Sequence, residues 1–404
     1  MKVYSYNAVG KREEREKHRD NSTHVYQYGP FLAIHERRFM VRWGMVVCYT
    51  GGGTLGHVYP ALAVHEELSG DEGYRGFYIG RDERVEREAV EAAGLEFRAI
   101  PSGKLRRYRS YRNLIDPAFV IAGFFASLWI LTRHRPDVLF SKGGFVTPPV
   151  VAAAYLLRIP VISHESDATA GLATRINSRF SRIVCTPFEE GFERLRTKRI
   201  VATGSPIRKS LAEYEKGSAV LPFLKEDEKL LLVLGGSGGS QTINRLVQST
   251  LDQLTASAYV YHQCGRGNRS DREHPRYKEV EFITSLLPAL LERADLVVCR
   301  AGANTIAELA LFGVPALLIP LSGSYSRGDQ EDNARHLEQH GSARVLSEDV
   351  ESETFAAVVC ALLEDDQARR ALADSMAGLG KPASASLIAD LVREQGRKHS
   401  CSGE

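Results

Sequence analysis

The stretch MVVCYTGGGTLGHVYPALAVHEEL, residues 45–68, decides the fold. An apolar run of strand length passes through three glycines into a helical pattern that sets Ala61, Val64 and Leu68 on one face. Strand, glycine turn and helix in that order form the first half of a βαβ unit, and the unbroken apolar run suits a parallel strand covered on both sides. Further strands are predicted at 74–79, 95–100, 137–140, 160–163 and 182–185. The segment VATGSPIRKS (201–210) then ends a short apolar run in Gly-Ser-Pro and gives way to a polar stretch rich in Lys and Glu, as a linker does. Alternation restarts at 230–234, with strands near 258–263, 279–283, 295–299 and 315–319 and helices near 240–255, 286–293, 303–312 and 329–339. The expected fold class is α/β, two Rossmann-like doubly wound domains facing a cleft. The domains are expected at 45–203 and 211–404 around a linker at 204–210, and the last helix is a candidate to cross back.

Composition narrows the function. At 404 residues the chain is long enough for two domains, and 43% hydrophobic with 25% charged residues is ordinary globular usage. Disorder, collagen and a polytopic membrane protein fit poorly. Fifty-two Lys and Arg against 50 Asp and Glu leave a formal charge of +2, so nothing global favours nucleic acid. The six cysteines have no C-x-x-C spacing, which suits a reducing, cytoplasmic setting and neither a disulfide framework nor a zinc site. Residues 1–44 are polar and charge-dense without an apolar signal region; they read as a disordered leader or a start-site artefact, with Met45 a plausible initiator.

Three glycine-rich turns stand at predicted strand ends: GGGTLGH (51–57), SKGGFVTPP (141–149) and GGSGGS (235–240). Glycines let backbone amides approach a phosphate, and a following helix N-terminus adds positive potential. The first turn has P-loop spacing, yet His57 and Val58 stand where Lys and Ser/Thr belong, so a Walker site is not expected. A dinucleotide site needs an acidic residue at the end of the second strand, and Asp82 matches poorly. Repetition in both halves suggests more than one phosphate site. His57, on the helical face of Ala61, reads either as a structural histidine or as a functional one.

In VVCRAGANTIAE (297–308), Arg300 and Gly302 end a strand while Glu308 lies off the apolar face of the next helix. Periodicity makes Glu308 a solvated carboxylate; its two acceptor oxygens also match the vicinal hydroxyls of a ribose. Lys104, Arg106, Arg107, Arg109 and Arg112 form a basic segment before the apolar run 117–131, which at 15 residues falls short of the ~20 that span a bilayer. This pair reads either as a solvated loop beside a buried helix or as a dock for anionic lipid.

The stretches GGGTLGHVYPALAV (51–64), SKGGFVTPPV (141–150), HESDATAGLATRI (164–176), TGSPIR (203–208), LGGSGGSQTIN (234–244), HQCGRGN (262–268), VCRAGANTIAELALFGVPALLIP (298–320) and GDQEDNA (328–334) together resemble the MurG family of bacterial peptidoglycan glycosyltransferases. The resemblance implies a glycosyltransferase-B fold and inverting transfer of N-acetylglucosamine from UDP-GlcNAc to lipid I, giving lipid II. It implies His57 as the catalytic residue; Thr54, Asp167, Arg208, Ser237, Glu308 and Gln330 at the donor; and Gly53, Gly56, Gly143 and Gly144 at the acceptor diphosphate. Leu55, Ser240 and Glu331 depart from residues usual in the family. The chain contains no Asp-x-Asp, so neither metal nor cofactor is expected, and amides of loop 235–240 with Arg208 are left to meet the charge of departing UDP. The implied partners are UDP-GlcNAc, lipid I and the inner face of the cytoplasmic membrane, with no nucleic acid. Rival readings are another UDP-sugar enzyme of this fold, a diacylglycerol glucosyltransferase or an epimerase, and a non-catalytic nucleotide-sugar-binding subunit.

Overall fold

The computed structural model describes residues 44–53, 55–103, 112–217, 221–236, 238–270, 272–323 and 328–402, without the side chains of 112–115 and 400–402. In the first half, β1 (Val46–Thr50), α1 (Leu55–Leu68), β2 (Arg75–Gly80), α2 (Arg84–Ala92), β3 (Glu96–Ala99), α3 (Arg112–His134), β4 (Val138–Ser141), α4 (Thr147–Leu156), β5 (Val161–His164), α5 (Leu172–Asn177), β6 (Ile183–Thr186) and β7 (Ile200–Ala202) alternate. The short α6 (Lys209–Ala212) follows Gly204–Arg208. The second half runs β8 (Leu230–Leu234), α7 (Gln241–Ser249), α8 (Leu251–Ser257), β9 (Tyr259–Gln263), β10 (Tyr277–Val280), α9 (Leu287–Arg293), β11 (Leu296–Cys299), α10 (Ala303–Phe312), β12 (Ala316–Leu318), α11 (Asp329–Gln339) and β13 (Arg344–Val345). The chain closes with α12 (Ser352–Glu364), α13 (Asp366–Gly378) and α14 (Ser384–Ser402).

The strands form two sheets, β3-β2-β1-β4-β5-β6-β7 and β10-β9-β8-β11-β12-β13, parallel at every ladder. Every residue of VVCYT and LLLVL is buried, because helices cover both faces of each sheet. Strand order reverses between β1 and β4 and again between β8 and β11, which opens a crevice at the carboxyl end of each sheet. After the second sheet the chain returns: α14 puts Ile388, Ala389 and Val392 into the core around β1 and α1, and Arg393 grips Asp71 through two bonds of 2.7 and 2.9 Å.

Three details differ from the sequence reading. The helix expected over 240–255 breaks at Thr250, whose hydroxyl donates back to the Leu246 carbonyl at 2.7 Å, a bond that bends helices. Strand β10 lies at Tyr277–Val280 and not at 279–283, because the Ile283 amide is taken by the Gln263 side chain, 2.9 Å away, in place of a ladder partner. The apolar run 117–131 belongs to the 23-residue α3, whose stretch from Asp116 to His134 has a mean hydropathy of 1.2.

Candidate active site

The crevice of the first sheet is built from loops 51–55, 142–146 and 165–171, which leave the ends of β1, β4 and β5. His57, in the first turn of α1, lies against the second glycine turn: a Cβ on Gly144 would stand 3.3 Å from its Cδ2 and 2.3 Å from the Gly52 carbonyl oxygen. Gly144 is also left-handed at φ +89°, so conformation and space both demand glycine there. Leu55 packs against the core cluster of β1 and α1, and its side chain is drawn toward the interior. Thr54 and Ser237 lie outside the described residues, as do Lys104, Arg106, Arg107 and Arg109; the side chain of Arg112 does too.

Across the cleft the second domain answers with α10 and the linker. Asn304 donates from the start of α10 to the Gly56 carbonyl at 3.2 Å. One turn further on, Glu308 meets Arg208 at 3.5 Å, and the Arg208 guanidinium stands 5.7 Å from the centre of the Tyr59 ring on α1. Glu308 is therefore half-buried and not a solvated helix carboxylate; burial raises its pKa, and Arg208 opposes the rise. His57, Gly56, Tyr59, Arg208, Asn304 and Glu308 thus share one cleft between the two sheets.

A second set of contacts ties the domains where β5 ends. Asn333 on α11 donates to Asp167 Oδ1 at 3.0 Å and to the Ala301 carbonyl at 3.1 Å, and it accepts from the Ala168 amide at 2.7 Å. Thr169 donates to Asp332 at 2.9 Å. Burial, reinforced by Glu165, holds the Asp167 carboxyl above the usual range. Beneath it lies Lys142, only 2% exposed, whose ammonium donates to the Ser166 hydroxyl. Burial pushes Lys142 down to about 8 although Glu165 and Asp167 pull it up. Glu165 accepts from the amides of Ser166, Asp167 and Gly171 at 2.9, 3.2 and 3.0 Å, so its charge is met by backbone.

In the second crevice, Ser240 caps α7 by accepting from the Ile243 amide at 3.3 Å, which leaves the start of a nine-residue helix at the end of loop 235–240. Gln330 Oε1 accepts from the Leu321 amide at 2.9 Å and Glu331 from the Gly323 amide at 3.0 Å, so both residues brace loop 321–323. Arg300 is committed to structure: it donates to the carbonyls of Ile319 and Pro320 at 3.0 and 3.1 Å and pairs with Glu348 at 2.6 Å. Among the described residues, no three His, Cys, Asp or Glu side chains group closely enough to hold a metal ion. Lys142, Asn304, Asn333 and Tyr59 escaped the sequence reading. Of these only Lys142, a charge between an apolar strand and two glycines, left a local signal.

The glycosyltransferase family 28 N-terminal domain matches residues 47–186 and the family 28 C-terminal domain matches residues 230–389. The chain is 44% identical over 306 residues to the UDP-N-acetylglucosamine–N-acetylmuramyl-(pentapeptide) pyrophosphoryl-undecaprenol N-acetylglucosamine transferase of Clostridium botulinum (strain Langeland), covering 75% of this chain and 86% of that one. It is 45% identical over 307 residues to the protein of the same name from Shouchella clausii, with the same coverage. In structure it is similar to Acinetobacter baumannii MurG, with a TM-score of 0.68 and 23% identity over 87% of this chain and 99% of that one. It is also similar to the UDP-GlcNAc 2-epimerase of Neisseria meningitidis, with a TM-score of 0.62 and 12% identity over 87% of this chain and 100% of that one. These two likenesses speak for the shared two-domain architecture.

Proposed function

The chain belongs to glycosyltransferase family 28, and from that premise we propose that it transfers N-acetylglucosamine from UDP-GlcNAc to the muramyl 4-hydroxyl of lipid I, giving lipid II. The observation that carries this reading is the cleft between α1 and α10, where a histidine beside paired glycine turns faces an Arg208–Glu308 pair 3.5 Å apart. Ribose and diphosphate are adjacent in the donor, as are the carboxylate that accepts from a diol and the guanidinium that meets a phosphate. Glu308 then fixes the ribose, while Arg208 and the amides before α7 stabilise the negative charge that grows on departing UDP. The glycine turns at 51–56 and 143–144 take the acceptor diphosphate, and His57 between them accepts the proton of the attacking hydroxyl. Gln330 and Asp167 bound the sugar pocket, with Thr54 and Ser237 completing the donor site.

The acceptor is a membrane lipid, and α3 supplies the surface that meets it. Asp116, Gly123, Ser127, Ile130 and Leu131 are buried on one side of α3, whereas Phe119, Ile121, Phe125 and Trp129 are exposed, Trp129 at 68%. A helix packed on its own domain along one face and apolar on the other lies in an interface without crossing it. This docks the enzyme peripherally on the inner leaflet. One experiment separates the rival functions: purified protein is given labelled UDP-GlcNAc with lipid I and, separately, UDP-glucose with diacylglycerol. Transfer to lipid I alone supports the reading; transfer to diacylglycerol, epimerisation of the donor, or binding without turnover would replace it.

A further inference from the structure

Glu86, in the first turn of α2, is 4% exposed, and its carboxyl lies under the first glycine turn. A Cβ on Gly52 would stand 3.0 Å from Glu86 Oε1, and one on Gly80 would stand 2.4 Å from the same atom, so two missing side chains make the space it fills. Among the described residues neither carboxyl oxygen has a partner in full hydrogen-bond geometry, although the amides of Gly53 and Arg81 point toward it. The Tyr78 hydroxyl, also buried and without a hydrogen-bond partner among the described residues, lies beside the same turn, 2.8 Å from where a Cβ on Gly51 would be.

An ionised carboxylate under a loop that takes a diphosphate would oppose the ligand, whereas the neutral acid adds a donor and no charge. We infer that Glu86 is a positioning residue of the acceptor site that works as a neutral acid: protonated, it supports turn 51–53 from below; ionised, it weakens the hold on the diphosphate. This rests on placing the acceptor diphosphate at the glycine turns. The charged and titratable groups around it divide by element. Glu83 on the approach to α2 disfavours its ionisation, and Arg81, after β2, favours it weakly. Tyr78 on β2 is itself pushed well up by burial and by Glu86. His57 stands on α1 against Gly144, and the chain at Phe145 and Val146 brings no charge. Burial outweighs these neighbours and brings Glu86 up to about 7, inside the working range of pH.

The test is the KM for lipid I between pH 6 and 9 in the wild type, Glu86→Gln and Glu86→Ala, with the donor KM measured alongside. If only the protonated form binds, the wild-type acceptor KM climbs above neutrality toward a tenfold rise per pH unit. Glu86→Gln, neutral and of the same shape, should stay flat at the low value. Glu86→Ala should be high at every pH, and the donor KM should not follow in any variant. A Gln profile parallel to the wild type, or a Gln variant as impaired as Ala, overturns the inference; the Gln variant keeps the test open if the Ala variant fails to fold. Gly144→Ala separates the underlying premise, because its Cβ would meet the Gly52 carbonyl at 2.3 Å and force the turns apart. If Gly144→Ala leaves the acceptor KM unchanged, the diphosphate is not held there and both readings fall. If that KM rises while the Gln profile still tracks the wild type, the role of Glu86 falls alone.

Discussion

Replacing Lys142 by methionine removes an ammonium that burial disfavours: its folded value of about 8 lies below the ordinary 10.5, and the pull of Glu165 and Asp167 does not make up the difference. The gap from 10.5 to about 8, at 1.36 kcal/mol per pH unit, puts the cost of keeping that charge indoors at about 3 kcal/mol. Between those two values the unfolded chain holds a proton that the folded chain has lost, so stability rises with pH through that window. Below the window, at pH 7.5, Lys142→Met should therefore melt above the wild type, by up to roughly 6–12 °C for about 3 kcal/mol in a domain of this size. By pH 10.5 the wild type should have regained most of the difference, because its lysine then folds as the neutral amine. Scanning calorimetry of the two proteins at pH 7.5 and 10.5 reads both expectations. The reasoning is refuted if Lys142→Met melts well below the wild type at pH 7.5, or if the difference between the two does not change with pH.

His57→Ala should lower kcat by roughly 10²- to 10⁴-fold with little change in donor KM, the signature of a lost general base in steady-state assays; a raised acceptor KM with kcat spared would make it an orienting group. Glu308→Ala removes a charged hydrogen bond to the ribose and should weaken donor binding by about 1.5–3 kcal/mol, read by titration with UDP-GlcNAc; unchanged affinity would return Glu308 to the role of partner for Arg208. Phe125→Ser and Trp129→Ser on the outer face of α3 should each weaken binding to anionic vesicles by up to about 2 kcal/mol in a sedimentation assay while leaving the thermal midpoint in place, and equal binding would count against docking through that face. Glu86 makes a separate claim on stability. Its folded-state value of about 7 lies above the unfolded 4.5, so the folded chain holds a proton that the unfolded chain has lost, and stability falls as pH rises through that window. Relative to Glu86→Gln, the wild type should therefore lose about 3 kcal/mol between pH 4.5 and 8 in urea titrations, and a constant difference would mean that the carboxyl stays ionised.

The parallel sheets were legible because burial on both faces writes itself as unbroken apolar runs, and VVCYT and LLLVL carry that mark without help from neighbours. Glycine turns at strand ends were legible for the same local reason. Boundaries failed where a side chain took over a backbone partner, as Gln263 does for Ile283 and Thr250 for Leu246. The outer face of α3 was half legible: its apolar composition stands in the sequence, but which side faces outward depends on α4 and on the close approach of Gly123 to the Pro101 carbonyl.

The titratable groups inside the site were the illegible part, and Glu86 illustrates why. An acidic residue in the first turn of a helix already has a sufficient reading in the helix macrodipole, so the pattern gives no reason to look for it indoors. Its burial comes from two glycines on other elements, Gly52 and Gly80, whose absent Cβ atoms open the space; Gly52 reads in sequence as a turn residue at a strand end, and Gly80 carries no signal of its own. Lys142 is the basic counterpart, also buried. It lies under the turn at 143–144, where Ser166, Asp167 and Glu165 reach it from another strand end. A buried acid and a buried base under the two turns that flank the β1–β4 switch point arise only when loops distant in sequence close over one crevice, and no window along the chain contains both.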